Sequence, residues 1–316
     1  MFHTTIWTLI LGLPGILGAA SLGAQDKPEK SAQASGITKV ISDLQKLEKS
    51  LGSVELEMVT LGSYPGGLKF STRGRLRVLG TTHFHIRVVS TFLGNGKDQL
   101  TSEVEKVITP DGVWTRQQGP IEVVYTKMSA ALVKRLELAQ KALAAADKAN
   151  SGNQVAVPGL LSEGGRSPLG SAMLVSFDQQ FDLRLQKAPR SVGGTECRVF
   201  SGPWRVPTRG GDNKDGATGA EPLGPASAEV VVRPDGVPIA LRQFDRDRAI
   251  TLELRVDTLT LNPALKKGGF VLPLPEGKVF QDVMDHRPSR AQIQRLLDEY
   301  EALDQSKPPV PDKPKK

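Results

Sequence analysis

The chain has 316 residues, a length compatible with one large all-β domain or two smaller ones and sufficient to bury a sizeable core. Aromatics make up only 5%, so the core falls to Val, Leu and Ile, while 32 Gly and 22 Pro demand many turns. The net charge of +7 is spread along the chain, and no aromatics interleave with its cations, which argues against the stacking platform of a single-stranded nucleic-acid binder.

Residues 1–24 read as a secretory leader: Ile6 to Leu17 is the apolar stretch, and Ala19 to Ala24 offers small residues for cleavage after Ala20 or Ala24. The apolar run is short and interrupted by Gly and Pro, whereas a membrane span needs about 20 apolar residues. Export is expected, with an uncleaved N-terminal anchor as the alternative. Cys197 is the only cysteine, so there is no intramolecular disulfide and no lipid-attachment Cys near the leader. Residues 25–36 form a polar linker, expected to be disordered.

From 37 to 51, Ile37, Val40, Ile41, Leu44, Leu47 and Leu51 recur at helical spacing, and Gly52 stops the run. Strand patterns of period two follow. Leu56 and Met58 alternate with Glu55 and Glu57; Phe70 and Leu76 share their stretch with Arg73, Arg75 and Arg77; Phe84, Ile86 and Val88 alternate with His83, His85 and Arg87. These arginines predict a basic outer face. Val104 to Ile108 and Val113 to Arg116 flank the turn Pro110-Asp111-Gly112, and Ile121, Val123 and Tyr125 suggest another strand. Short strands joined by turns predict an antiparallel meander.

Residues 128–149 switch to a helical stripe of Leu132, Leu136, Ala139, Leu143 and Ala146. A loop rich in Gly, Ser and Pro spans 150–170, with one or two helical turns expected over 169–177. Strands follow at Phe181 to Leu185 and Glu196 to Val206, and residues 207–225 read as a flexible insertion. A second meander takes in Ala228 to Arg233, the turn Pro234-Asp235-Gly236, Pro238 to Phe244 and a long stretch from Ala249. In that last stretch Ile250, Leu252, Leu254 and Val256 alternate with Thr251, Glu253, Arg255 and Asp257, predicting the closing edge of this second meander. Ser289 and Gln292 form a capping box for a C-terminal helix over 286–304, and residues 305–316 read as a disordered tail.

The strand exit Leu261-Asn262-Pro263, followed by Phe270 and Pro275-Glu276-Gly277, and the segment Pro110-Asp111-Gly112-Val113-Trp114 carry a family likeness. Over roughly residues 37–283 the chain resembles the bacterial outer-membrane lipoprotein carrier and receptor superfamily, LolA/LolB-like. The resemblance implies a mainly β (α+β) fold, a curved, incompletely closed antiparallel β-barrel with a helical lid, occupying residues 37–285. It also implies a periplasmic, non-enzymatic carrier or chaperone for the acyl chains of a lipoprotein or lipid, with no cofactor. The 207–225 insertion and the C-terminal helix have no counterpart in the family pattern.

The inward-facing residues Leu56, Met58, Phe70, Leu76, Phe84, Ile86, Val88, Leu252, Leu254 and Val256 are the candidate ligand-binding set, and an ordinary packed core is the alternative. A cavity suffices for binding, since each buried methylene contributes ~0.8 kcal/mol. The alternative role is an envelope structural, interaction or sensor protein with a filled core. Partners expected are an acylated lipoprotein or lipid, an envelope protein and, given the charge, an anionic membrane surface; nucleic acid is not expected. His83 and His85 share a strand face but lack an evident third metal ligand. Gly164 to Gly170 lacks the Gly-x-Ser-x-Gly spacing of a nucleophile turn, and in Asp212 to Gly216 a lysine occupies a calcium-ligand place.

Overall fold

A computed structural model describes residues 36–63, 68–93, 99–151, 167–205 and 225–305. The period-two stretches of the first half form β1 (Ser53–Ser63), β2 (Lys69–Leu79), β3 (His83–Leu93), β4 (Gln99–Thr109), β5 (Gly112–Gln118) and β6 (Val123–Ser129). Gly112 opens β5 at a φ of 148°, where a Cβ would lie 2.4 Å from the Met128 carbonyl oxygen. Glycine alone permits that approach, and it brings β5 back beside β6. The second meander comprises β7 (Arg184–Leu185), β8 (Arg190–Val192), β9 (Thr195–Pro203), β10 (Ser227–Val232), β11 (Pro238–Phe244) and β12 (Ile250–Leu261). A last short strand, β13 (Gln281–Asp282), pairs parallel to β6.

All thirteen strands belong to one unclosed sheet ordered β13-β6-β5-β4-β3-β2-β1-β12-β11-β10-β9-β7, with β8 attached to β9. β12 is the closing edge of the second meander, and there it meets the first. β12 lies in the middle, antiparallel to β1 on one side and β11 on the other, and welds the two meanders into a single sheet. Its apolar alternation changes parity at Asp257-Thr258. A register shift there leaves Asp257 without a partner on β1, so Leu259 and Leu261 stay on the same face as Val256 and Leu254. Ile250 was expected to face inward with them, but it is exposed at the start of β12, beyond a second shift opposite β11.

Among the described residues four helices cover one face of the sheet: α1 (Gly36–Ser50), α2 (Ala130–Ser151), α3 (Ser171–Gln180) and α4 (Arg287–Gln305). The buried stripe of α1 is Ile37, Val40, Ile41 and Leu44, packed with Phe177, Phe181 and Phe200 over β1, β9 and β10. A second cluster joins Leu136 and Ala139 of α2 and Ile293 and Leu297 of α4 to Val113 and Met128 of β5 and β6. Residues 263–280 run along the other face as a strap before β13 and Val283, which joins the second cluster. There Phe270 and Leu272 pack on Val107, and Phe280 meets Tyr125 edge-on at 6.0 Å.

Local boundaries differ from the sequence expectation for identifiable reasons. β6 runs on to Ser129 because Gly112 pairs with it, which delays α2 to Ala130. Ile121 is exposed and precedes β6. The 169–177 turns extend to a ten-residue α3. α4 begins two residues before Ser289, whose hydroxyl lies 3.2 Å from Nδ1 of His286, so the expected capping box is displaced. Gln305, read as tail, ends α4. The leader, the polar linker up to residue 35 and the insertion between 206 and 224 lie outside the described residues. No helix among the described residues is long and apolar enough to cross a membrane.

Candidate functional site

Paired residues of neighbouring antiparallel strands point to the same side, so the register assigns the helix-covered face row by row. The first row, Leu261, Val54, Val78, Phe84, Ile108, Val113 and Met128, lies beneath the helices. The second runs Leu259, Leu56, Leu76, Ile86, Lys106, Thr115 and Thr126. The third holds Val256, Met58, Gly74, Val88, Val104 and Gln117. The fourth is Leu254 with the hydroxyl ladder Thr60, Thr72, Ser90 and Ser102, and the fifth is Leu252, Gly62, Phe70, Phe92 and Leu100. Rows lie about 6.8 Å apart along the strands, two residues at a time.

All ten candidate residues share this face. Their burial divides them. Leu56, Phe70 and Phe84 are buried, while Met58, Leu76, Ile86, Val88, Leu252, Leu254 and Val256 are only half-buried. Met58, Leu76, Leu254 and Val256 pack against the main core cluster; Ile86, Val88 and Leu252 belong to none of the packed clusters. Inward-facing aliphatic groups that lack a packed neighbour forgo dispersion contacts that a filled core would supply. Ile86 and Val88 stand in the second and third rows of β3, beside Lys106 and buried Val104 of β4.

Polar groups on the same face are few. Thr72 Oγ1 and Ser90 Oγ are hydrogen-bonded at 3.2 Å, whereas Ser102 Oγ and Gln243 Nε2 are buried without a partner among the described residues. Lys106 was not singled out from the sequence, yet the register places it inward, opposite Ile86 and Thr115. It is half-buried, and burial pushes its ammonium down to about 8. No carboxylate among the described residues forms an ion pair with it. The available signal was its parity: Val104, Lys106 and Ile108 alternate on β4. Val107 weakened that signal as the one apolar residue on the parity of Glu103 and Glu105.

The opposite face is charged but paired, which corrects the expected basic surface. Arg75 donates to Glu55 at 2.6 Å, Arg87 and Arg116 donate to Glu103 at 3.0 and 2.7 Å, and Arg77 approaches Glu55 at 3.7 Å. Farther along, Arg190 and Arg242 converge on Glu229 at 2.6 and 3.2 Å. Acidic residues of β1 and β4 stand opposite the arginines of β2, β3 and β5, so the excess charge is largely balanced there. The histidines also lie on this face. His85 Nε2 meets Glu105 at 2.8 Å, and His83 stacks edge-on against Phe270 at 5.6 Å. No group of three or more metal-ligating side chains occurs among the described residues.

Large aliphatic side chains are exposed at one end of the sheet: Leu61 at the end of β1, Leu68 before β2, Leu93 at the end of β3, Leu100 near the start of β4 and Ile250 opening β12. This apolar rim adjoins the fifth row.

No protein-family model matches the chain, and no curated protein does. Among solved structures, the chain is similar to the MucA/MucB complex of Pseudomonas aeruginosa, with 11% identity, 75% of this chain and 61% of that chain covered, and a TM-score of 0.37. It is also similar to an uncharacterized conserved protein from Thermus thermophilus, with 12% identity, 78% and 98% covered, and a TM-score of 0.35. A LolA superfamily protein from Nitrosomonas europaea gives 8% identity, 76% and 99% covered, and a TM-score of 0.25. The chain spans about three fifths of the length of the MucB structures that it matches. The superfamily that the sequence resembles is represented among these structures.

Proposed function

We propose that this chain is an exported, non-enzymatic carrier or chaperone that holds an acyl chain of a lipoprotein or lipid against the helix-covered face of its sheet. The observation that carries the reading is that inward-facing Ile86, Val88 and Leu252 are half-buried and stand outside the core clusters of the described residues. A bound alkyl chain supplies the contacts these side chains lack, at ~0.8 kcal/mol for each methylene removed from water. The helices α1 and α2 act as the lid. The apolar rim of Leu61, Leu93, Leu100 and Ile250 is the place where cargo passes to a membrane surface or an envelope partner. That rim also supports a second reading, an envelope interaction protein that docks through it.

The test is titration with a fluorescent acyl probe, together with mass spectrometry of lipid co-purified with the protein. Val88→Asp and Leu254→Asp place a charge on the half-buried face and should each abolish probe binding while the circular dichroism of the fold is kept. Arg73→Ala on the opposite, exposed face should bind as before. Retained binding in both folded aspartate variants removes the carrier reading and leaves the docking one.

A further inference from the structure

On β1 to β6 and β10 to β12, Lys106 is the one charged residue among those described whose register places it on the helix-covered face. The glutamates and arginines of these strands all point the other way, where Glu55, Glu103, Glu105, Glu229 and Glu253 are already engaged. The Lys106 side chain therefore stands among Ile86, Val104 and Ile108 with its ammonium removed from much of the solvent and no carboxylate among the described residues to balance it. A charge in such surroundings raises the free energy of the empty protein unless a counter-charge arrives. Lys106 also adjoins the half-buried aliphatic patch formed by Ile86 and Val88, so a counter-charge and an apolar chain fit side by side.

We infer that the ligand is an anionic single-chain amphiphile, a long-chain carboxylate, whose head pairs with Lys106 and whose chain lies over Ile86 and Val88 toward Leu252 and Phe92. This rests on the acyl-binding reading above and adds the chemical class of the ligand. Rows two to five span about 20 Å along the strands, enough for an extended long acyl chain. A carboxylate fits better than a phosphate monoester, since one ammonium balances one negative charge whereas a phosphate monoester carries about −1.5 to −2. In the same row Thr115 and Thr126 bring hydroxyl side chains to the β5 and β6 side of Lys106. Burial lowers the affinity of Lys106 for its proton in the empty protein, and a bound carboxylate reverses that effect.

The experiment compares palmitate, hexadecanol and hexadecyl phosphate as competitors for a neutral fluorescent acyl probe, on the full chain and on Lys106→Met and Lys106→Gln. Two variants guard against one of them failing to fold. The wild-type protein should prefer palmitate to hexadecanol by about tenfold or more, equivalent to 1.4 kcal/mol per factor of ten. In both variants the preference should fall to about one, through loss of palmitate affinity with hexadecanol unchanged. A wild-type ratio near one, or a ratio unchanged by the substitutions, overturns the role of Lys106 while leaving acyl binding intact. Tighter binding of hexadecyl phosphate than palmitate overturns the carboxylate assignment. Failure of all three competitors and of the probe to bind overturns the acyl-binding reading itself.

Discussion

Replacing Lys106 with Met should stabilise the protein at neutral pH, against the usual direction for a substitution inside a fold. Burial takes the lysine from 10.5 to about 8. At 1.36 kcal/mol per pH unit, the charged form costs the empty folded state up to about 3 kcal/mol. The folded value lies below the unfolded one. Its favourable contribution is thus fully present above pH 10.5 and is lost as the pH falls through about 8. Methionine keeps an unbranched apolar stem of similar reach and removes the charge, so packing against Ile86 changes little. Urea unfolding followed by circular dichroism, on protein refolded to strip bound amphiphile, should show the variant ahead by about 1–3 kcal/mol at pH 7. The lead should shrink steadily between pH 8 and pH 10.5. A variant less stable at pH 7, or equally ahead at pH 7 and pH 10, would show that Lys106 is solvated and that its inward placement has no energetic consequence.

Two further substitutions test the frame around the site. Glu48 accepts hydrogen bonds from the Ser167 hydroxyl and the Leu169 amide, each at 2.9 Å, from the Ser171 amide at 3.3 Å and from the Ser171 hydroxyl, which ties α1 to the start of α3. Glu48→Ala should cost about 1–3 kcal/mol and accelerate hydrogen exchange at residues 169–174 with little change in β3 and β4. In β9, a Cβ added at Gly202 would lie 1.7 Å from the carbonyl oxygen of Asp182, so two backbones must part. Gly202→Ala should cost about 3 kcal/mol or more, seen as a large drop in Tm; a neutral result would place that approach wrongly.

Strand alternation determined the sidedness of the ten candidate residues, because a period of two is a property of each strand alone. Leu56, Ile86 and Leu254 could be assigned to one face before any pairing was known. The helices at α1 and α4 were legible for the same reason, through their 3.6-residue stripes. Even the irregularity in β12 left a mark, two polar residues in succession at Asp257-Thr258, where the register shift keeps Leu259 on the inner face.

Only the tertiary structure decided which strand stands beside which. β12 reads locally as the edge of one meander and is central to the sheet, because its pairing with β1 spans about two hundred residues of sequence and no local signal encodes it. The outer arginines read as a basic face, and the register sets them opposite glutamates of β1 and β4. Lys106 is the sharpest case. On β4 one parity carries Glu103 and Glu105 and then Val107, which the strap buries, while Val104 and Ile108 flank the lysine on the other. The alternation of β4 therefore marks the parity of its lysine, and the neighbours it meets are set by pairing alone. The pairing with Ile86 and Thr115 sets it on the helix-covered face, where it is the one charge among the described residues of β1 to β6 and β10 to β12.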